Sequence, residues 1–326
     1  MWQQMMGLAL VAMSSLMASP SIDQSAHGPM VFIPGGDLAT ADDASPAFTP
    51  DGNTVYFMRG TDNGAVVMAS HRVDGHWSPP VVAPFSGRWR DGDPAMAPDG
   101  SFLVFASNRP VVKDGSALDA MRKGQRLVGQ GTNLWRVERQ SDGWSEPTRL
   151  PDAVNTCTST FAPSIAADQS IYYIGCAPDG VLRPLRTVYQ KGQYQAPYVV
   201  AVGDKDAQIR DVAIAPDRSF MVFSIKHDPK QPYRLAIAFH TADNWSTPQD
   251  LGDAVNGGSA NMGSQLGCDH RTLYFTSDRA LPAPLAAAAK ASSNHMWKIS
   301  LAPWLARLGD RLVTAAASCS AGLIMA

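Results

Sequence analysis

The sequence predicts an all-β fold: a β-propeller of four-stranded blades, closed by the chain's own N-terminal strand and followed by a short C-terminal helix. Three observations predict it. A turn motif recurs five times, with its aspartate at Asp51, Asp99, Asp168, Asp217 and Asp269. A second motif interlocks with the first, at Trp77-Ser78-Pro79-Pro80, Trp144-Ser145-Glu146-Pro147, Tyr194-Gln195-Ala196-Pro197 and Trp245-Ser246-Thr247-Pro248. Its fifth copy is missing after the last hairpin and appears at the start, where Ala26-His27-Gly28-Pro29 precedes the apolar run Met30-Val31-Phe32-Ile33.

A chain whose first strand supplies the piece absent from its last repeat is closing a ring, and a closed ring leaves no long unpaired sheet edge. Counting hairpins gives five blades, with six as the alternative if one more hides in the long interval between Asp99 and Asp168.

In chain order, the apolar stretch from Gly7 to Ala18, followed by Ser19-Pro20-Ser21, has the length of a signal-peptide core and is too short to span a bilayer. The expected organisation is a signal peptide or apolar leader over 1–25, a propeller over 26–300, and a helix and tail over 301–326. Strands are expected near 45–49, 54–59, 65–73 and 81–85 in the first blade, and the later copies repeat them. Each turn motif makes sense as a hairpin. A short apolar run arrives, Pro-Asp-Gly or a relative turns the chain, and a β-branched or aromatic run leaves, with proline fixing φ and aspartate bonding its own backbone. The five turn aspartates are therefore read as structural.

The segment 110–132 shows no strand pattern and reads as a loop inserted in the second blade. Segment 280–294, rich in Ala and Pro, falls at the equivalent place in the last blade. They follow Ser107-Asn108-Arg109 and Ser277-Asp278-Arg279, so both should leave the same face of the ring. Leu301, Trp304, Leu305 and Leu308 stand at helical spacing and predict the closing helix. The remaining tail is too short for a membrane span.

Composition narrows the function. Charged residues make up 17% of the 326, against roughly 25% in an ordinary domain, hydrophobic residues 45%, and the net charge is −2. Disorder and coiled coil are excluded, and so is a basic nucleic-acid-binding surface.

The Pro-Asp-Gly turns followed by Tyr-Phe or Val-Phe, then Ser-Asn-Arg109 or Ser-Asp-Arg279, then Trp-Ser-x-Pro, resemble the TolB-like and WD40-like propeller repeats of bacterial envelope proteins. The stretch Gly131-Thr132-Asn133-Leu134-Trp135 through Trp144-Ser145-Glu146-Pro147 to Asn155-Thr156 is especially similar. The resemblance covers roughly residues 26–300 and implies a periplasmic or secreted protein of the cell envelope. Its function is expected to be that of a non-catalytic binding or protein-interaction scaffold.

In a propeller the inner strands line an axial channel, so residues just ahead of each turn motif are placed to converge on a ligand. Those expected to bind are Arg90, Asp91, Asp93, Phe161, Arg210, Asp211, Asn261 and Gln265, with Asp42, Arg88, Thr158, Thr160 and Gln208 at neighbouring positions. Arg90 and Arg210 suit bidentate recognition of a carboxylate or phosphate. The alternative to a binding scaffold is a carbohydrate-active hydrolase or lyase, for which Asp43, Asp93 and Asp211 are the candidate acid, base or nucleophile. The partner is expected to be a protein, peptide or carbohydrate, the chain a monomer, and no nucleic acid is involved.

Nucleophile-elbow, zinc-helix, phosphate-loop and Cys-x-x-Cys motifs are absent from the sequence. No cofactor is expected, although a structural cation in the axial channel is compatible with its acidic lining. Cys157 and Cys176 flank the third hairpin so that they fall nearly opposite one another, which allows a disulfide in an exported protein. Cys268 and Cys319 have no evident partner in the sequence.

Overall fold

A computed structural model describes residues 28–35, 42–62, 64–122, 124–241, 244–283, 285–288 and 294–306. The leader expected over 1–25 and Leu308 of the predicted helix lie outside these residues.

The chain forms five blades. In the first, Asp43–Phe48 pairs antiparallel with Thr54–Thr61, which pairs with Gly64–Val73, which pairs with Val81–Val82. The inner strands of the next four are Asp91–Met96, Phe161–Ile165, Gln208–Ile214 and Asn261–Leu266. The last blade takes its outermost strand from the N-terminus: Met30–Val31 pairs with His295–Ser300, Met30 opposite Lys298 and Val31 opposite Trp297. The N-terminal strand thus closes the ring.

The core is five apolar layers, each between neighbouring blades. The layer between blades 5 and 1 is built around Phe32, which contacts Phe48, Trp77 and Tyr274 with ring centroids 5.7, 6.1 and 4.8 Å away. The closing strand is therefore held by packing as well as by its short hydrogen-bond ladder.

Local chemistry explains why the motifs recur. In every turn the aspartate Oδ1 accepts the backbone N–H two residues on, from Asn53, Ser101, Ser170, Ser219 and Arg271 at 2.9–3.0 Å. The motif serines Ser78, Ser145 and Ser246 each accept the N–H of the residue seven positions earlier, pinning the start of the outer strand. Asn155 and Asn256 accept the N–H of Leu134 and Leu235 at 2.7 Å, tying each loop back to its third strand.

The two Ser-x-Arg copies build matching posts. The Arg109 guanidinium lies between Phe105 and Trp135 and bonds Asp91 and the Phe85 carbonyl. Arg279 lies over Phe275 and Trp297 and bonds the Ala254 and Val255 carbonyls.

One reading is corrected. The 110–132 segment is not strandless: Ala120–Arg122 and Gln125–Leu127 form a small antiparallel hairpin. At three residues per strand it is too short to show a two-residue hydrophobic period. The second insertion carries one helical turn, Leu285–Ala288, and Ala302–Leu305 forms the closing helix with Trp304 and Leu305 buried. Among the described residues no helix is long and apolar enough to cross a membrane.

Candidate functional site

Every inner strand is interrupted at the same place. Its pairing register shifts after Ala44, Gly92, Phe161, Arg210 and Met262. The residue following each shift adopts a left-handed backbone: Ser45 (φ 52°), Asp93 (47°), Ala162 (50°), Asp211 (53°) and Gly263 (65°). Such a conformation costs a non-glycine residue about 1–2 kcal/mol. Four of the five positions bear that cost, so the surrounding ring must impose it.

These bulges put five equivalent residues around the axis. Ser45 Oγ donates to Asp93 Oδ1 at 3.0 Å, and the Ala162 N–H donates to Asp93 Oδ2 at 3.3 Å. The Gly263 N–H donates to Asp211 Oδ2 at 3.1 Å, and Ser264 Oγ donates to the Asp211 carbonyl. A Cβ on Gly263 would stand 3.2 Å from Thr276 Oγ1 and 3.7 Å from Ser45 Oγ, so a larger residue there would crowd Thr276.

Asp93 and Asp211, from blades 2 and 4, are thus brought together. Both are surrounded by protein yet keep partial access to solvent along the axis. Burial raises the Asp93 carboxyl above its usual range, opposed by the Ser45 hydroxyl, the Ala162 N–H and the charges of Arg210 and Arg90. Asp211 is pushed up to about 6, first by burial and then by the negative charge of Asp93, with Arg210 and the Gly263 N–H opposing. Two carboxylates that cannot both ionise cheaply share a proton between them, and the titration belongs to the pair.

Two guanidiniums frame the pair. Arg210 lies over the Phe161 ring at 5.2 Å and near the Tyr233 ring at 5.9 Å. Arg90 reaches the Gln130 carbonyl at 3.4 Å, while its backbone N–H is fixed by Asn108 Oδ1. Phe161 sits half-buried beside them.

The other sequence candidates are not brought to this point. Asp43 is held by a two-pronged ion pair to Arg59, 2.7 Å at each oxygen. Asp91 is fully buried against Arg109, Ser107 and Ser86. Asn261 is fully buried, with its amide and carbonyl bonded to the Tyr233 and Gly258 carbonyls and the Ser277 hydroxyl. Gln265 lies further along the channel, in a cavity of about 60 Å³ at the turn end that also includes Phe48, Met96, Ile165 and His270.

Ser45, Ala162 and Gly263 were not legible as site residues, though a signal for them exists. Each of the five bulge residues stands six positions before its turn aspartate, at 51, 99, 168, 217 and 269. Cys157, ahead of the third blade's inner strand, and Cys176, at the end of its second strand Ile171–Cys176, are joined by a disulfide, Cα–Cα 6.0 Å, and Cys268 is disulfide-bonded as well. Among the described residues, no group of three or more His, Cys, Asp or Glu side chains is arranged to hold a metal ion.

Neither a protein-family model nor a curated protein matches the sequence. Solved structures do match the fold. A family-43 endo-arabinanase from Bacillus licheniformis is 12% identical, with 82% of this chain and 96% of that one covered and a TM-score of 0.50. A thermostable family-43 glycoside hydrolase is 10% identical over 82% and 91% of the two chains, also at 0.50. TolB from Acinetobacter baumannii is 13% identical at a TM-score of 0.39, with 60% of this chain covered and 40% of that one. The likeness to the two family-43 structures is one of fold.

Proposed function

We propose that the chain is a carbohydrate-active hydrolase acting at the axial mouth of the propeller, with Asp93 and Asp211 as its working carboxylates. The observation that carries this reading is the pair itself: two carboxyl groups from non-adjacent blades, one holding its proton up to about pH 6. Glycosidic cleavage needs one carboxylic acid to protonate the leaving oxygen, and one carboxylate to activate water or to attack the sugar.

Asp211 fits the acid. Its Oδ2 is fixed by Gly263, while its Oδ1 accepts no hydrogen bond among the described residues and is open to deliver a proton. Asp93 fits the anionic partner, since Ser45 and Ala162 orient both of its oxygens and two arginines favour its charge. Phe161 offers an apolar surface against which a sugar ring could lie. The fold shared with family-43 glycoside hydrolases is compatible with this chemistry, which rests on the carboxylates and not on that likeness.

One observation favours a binding scaffold that uses the same funnel without turnover: both Asp93 oxygens already have partners within the ring. Aryl glycosides and dye-linked polysaccharides separate the two. For a hydrolase, Asp93→Asn and Asp211→Asn each lower kcat/KM at least about 100-fold with the circular dichroism unchanged. Turnover that survives both substitutions removes the axial pair from the chemistry; binding without turnover in the unaltered chain supports the scaffold.

The reading extends to location in the cell envelope, periplasmic or secreted. The Cys157–Cys176 disulfide supports an oxidising compartment.

A further inference from the structure

The two arginines at the axial mouth make no direct contact with its carboxylates. Among the described residues, Arg59, Arg109, Arg136, Arg186 and Arg234 each close an ion pair with a carboxylate within 4 Å. Arg90 and Arg210 close none, although both are near enough to Asp93, and Arg210 to Asp211, to favour the ionised forms. They are not spent on Asp93, because its two oxygens are bonded to Ser45 and Ala162.

Both guanidiniums are nevertheless held in place. Gly64, with φ at +127°, leaves room for the Arg90 stem: a Cβ there would lie 3.0 Å from Arg90 Cγ and Cδ. The inserted segment of blade 2 steadies Arg90 from the other side. The Gln130 carbonyl accepts from Arg90 Nη1, and Asn108, which receives the Arg90 N–H, also donates to the Gly129 carbonyl. Arg210 is flanked by Phe161 and Tyr233. A flexible surface arginine needs no such support, whereas one that must meet a ligand in a fixed orientation does.

We propose that the saccharide taken at this site is anionic, and that Arg90 and Arg210 together receive an acidic substituent on the sugar next to the bond facing Asp93 and Asp211. This rests on the carbohydrate reading above and names its substrate class. An arginine pair that closes no direct ion pair with a protein carboxylate matches the planar oxygens of a uronate, and a sulfate ester offers the same chemistry. The blade 2 insertion then serves substrate selection by positioning Arg90.

The test uses galacturonate, glucuronate and mannuronate trimers, their neutral methyl esters and a sulfated oligosaccharide, titrated calorimetrically into the full chain. The expected result is an acid that binds at least about tenfold tighter than its own ester, with that preference lost in Arg90→Gln and Arg210→Gln. Added salt should weaken the acid and leave the ester unchanged. Arg90→Gln alters a solvent-exposed head group and keeps the fold intact, and Arg210→Lys retains the charge as a control. A sulfated ligand preferred over the uronates, and dependent on the same arginines, assigns sulfate as the substituent. The inference is overturned if ester and acid bind equally, or if acid preference persists without both arginines. Neutral saccharides cleaved in an Asp93- and Asp211-dependent way would overturn it while leaving the hydrolase reading standing. No binding by any saccharide would remove both.

Discussion

Ser45 and Asp93 are forty-eight residues apart, occupy the same bulge position in neighbouring blades, and touch, hydroxyl to carboxylate, at 3.0 Å. The sequence repeat thus becomes a set of contacts at the axis, and the copies differ in the group each brings there. Where blade 1 has a hydroxyl, blades 2 and 4 have acids, and blades 3 and 5 have an alanine and a glycine whose N–H groups serve those acids.

Asp211 links the site to the pH dependence of stability. Its carboxyl is raised from 3.8 to about 6 in the folded chain, so the stability it contributes is fully present below about pH 4 and is lost as pH rises through 6. Asn at 211 cannot ionise. Asp211→Asn should therefore unfold at a temperature a few degrees higher than the parent at pH 7–8, with the gap closing toward pH 4. A gap that is constant with pH, or that grows on acidification, would contradict the raised carboxyl.

Ala162 holds a left-handed backbone at φ 50° with no side chain able to compensate. Glycine adopts that conformation freely, at the cost of greater freedom in the unfolded chain. Ala162→Gly should be neutral or stabilising by up to about 1 kcal/mol in urea unfolding. The same change at Ala166, a fully buried residue of the adjacent apolar layer, should destabilise. Equal losses at both would show that the bulge is not strained.

Arg109 neutralises Asp91, which has no exposed surface, across a 2.6 Å contact. Burial already raises the Asp91 carboxyl, and the Arg109 charge is its largest opposing influence. Arg109→Ala should cost about 3–5 kcal/mol by leaving a buried acid unpaired. Asp91→Asn in the same chain should restore part of the loss, which a double-mutant cycle by denaturant unfolding would read.

Phe32 tests closure of the ring. Phe32→Ala removes an aromatic side chain that touches three others between the last blade and the first, for an expected loss of about 3–5 kcal/mol. Amide exchange in His295–Ser300 should accelerate more than in Asn133–Gln140 across the ring. Uniform acceleration would mean that the blades unfold as one unit.

The sequence by itself determined the blades and the closing strand, and its hairpin count gave five blades with six left open. The reason is locality. An aspartate that accepts the N–H two residues later, as Asp51 does from Asn53, needs nothing from elsewhere in the chain, so its imprint repeats wherever the turn does. The missing outer strand of the last blade was equally legible, because Met30–Val31 carries the apolar pattern that the fifth copy lacks. The sequence also marked Arg90, Asp93, Phe161, Arg210 and Asp211 by their place ahead of the turns, but in one set with Asp91, Asn261 and Gln265, which lie elsewhere.

It could not separate Asp93 from Asp43 or Asp91, which lie within the same few residues of their turns. Only the tertiary structure decided that Asp43 is taken by Arg59 and Asp91 by Arg109, while Asp93 faces Asp211 across the axis. The bulge turns one residue per blade inward, a local event with no residue type of its own, since Ser, Asp, Ala, Asp and Gly all occupy it. The raised Asp211 carboxyl depends on atoms from several blades that crowd it beside Asp93, and that crowding exists only once the ring has closed.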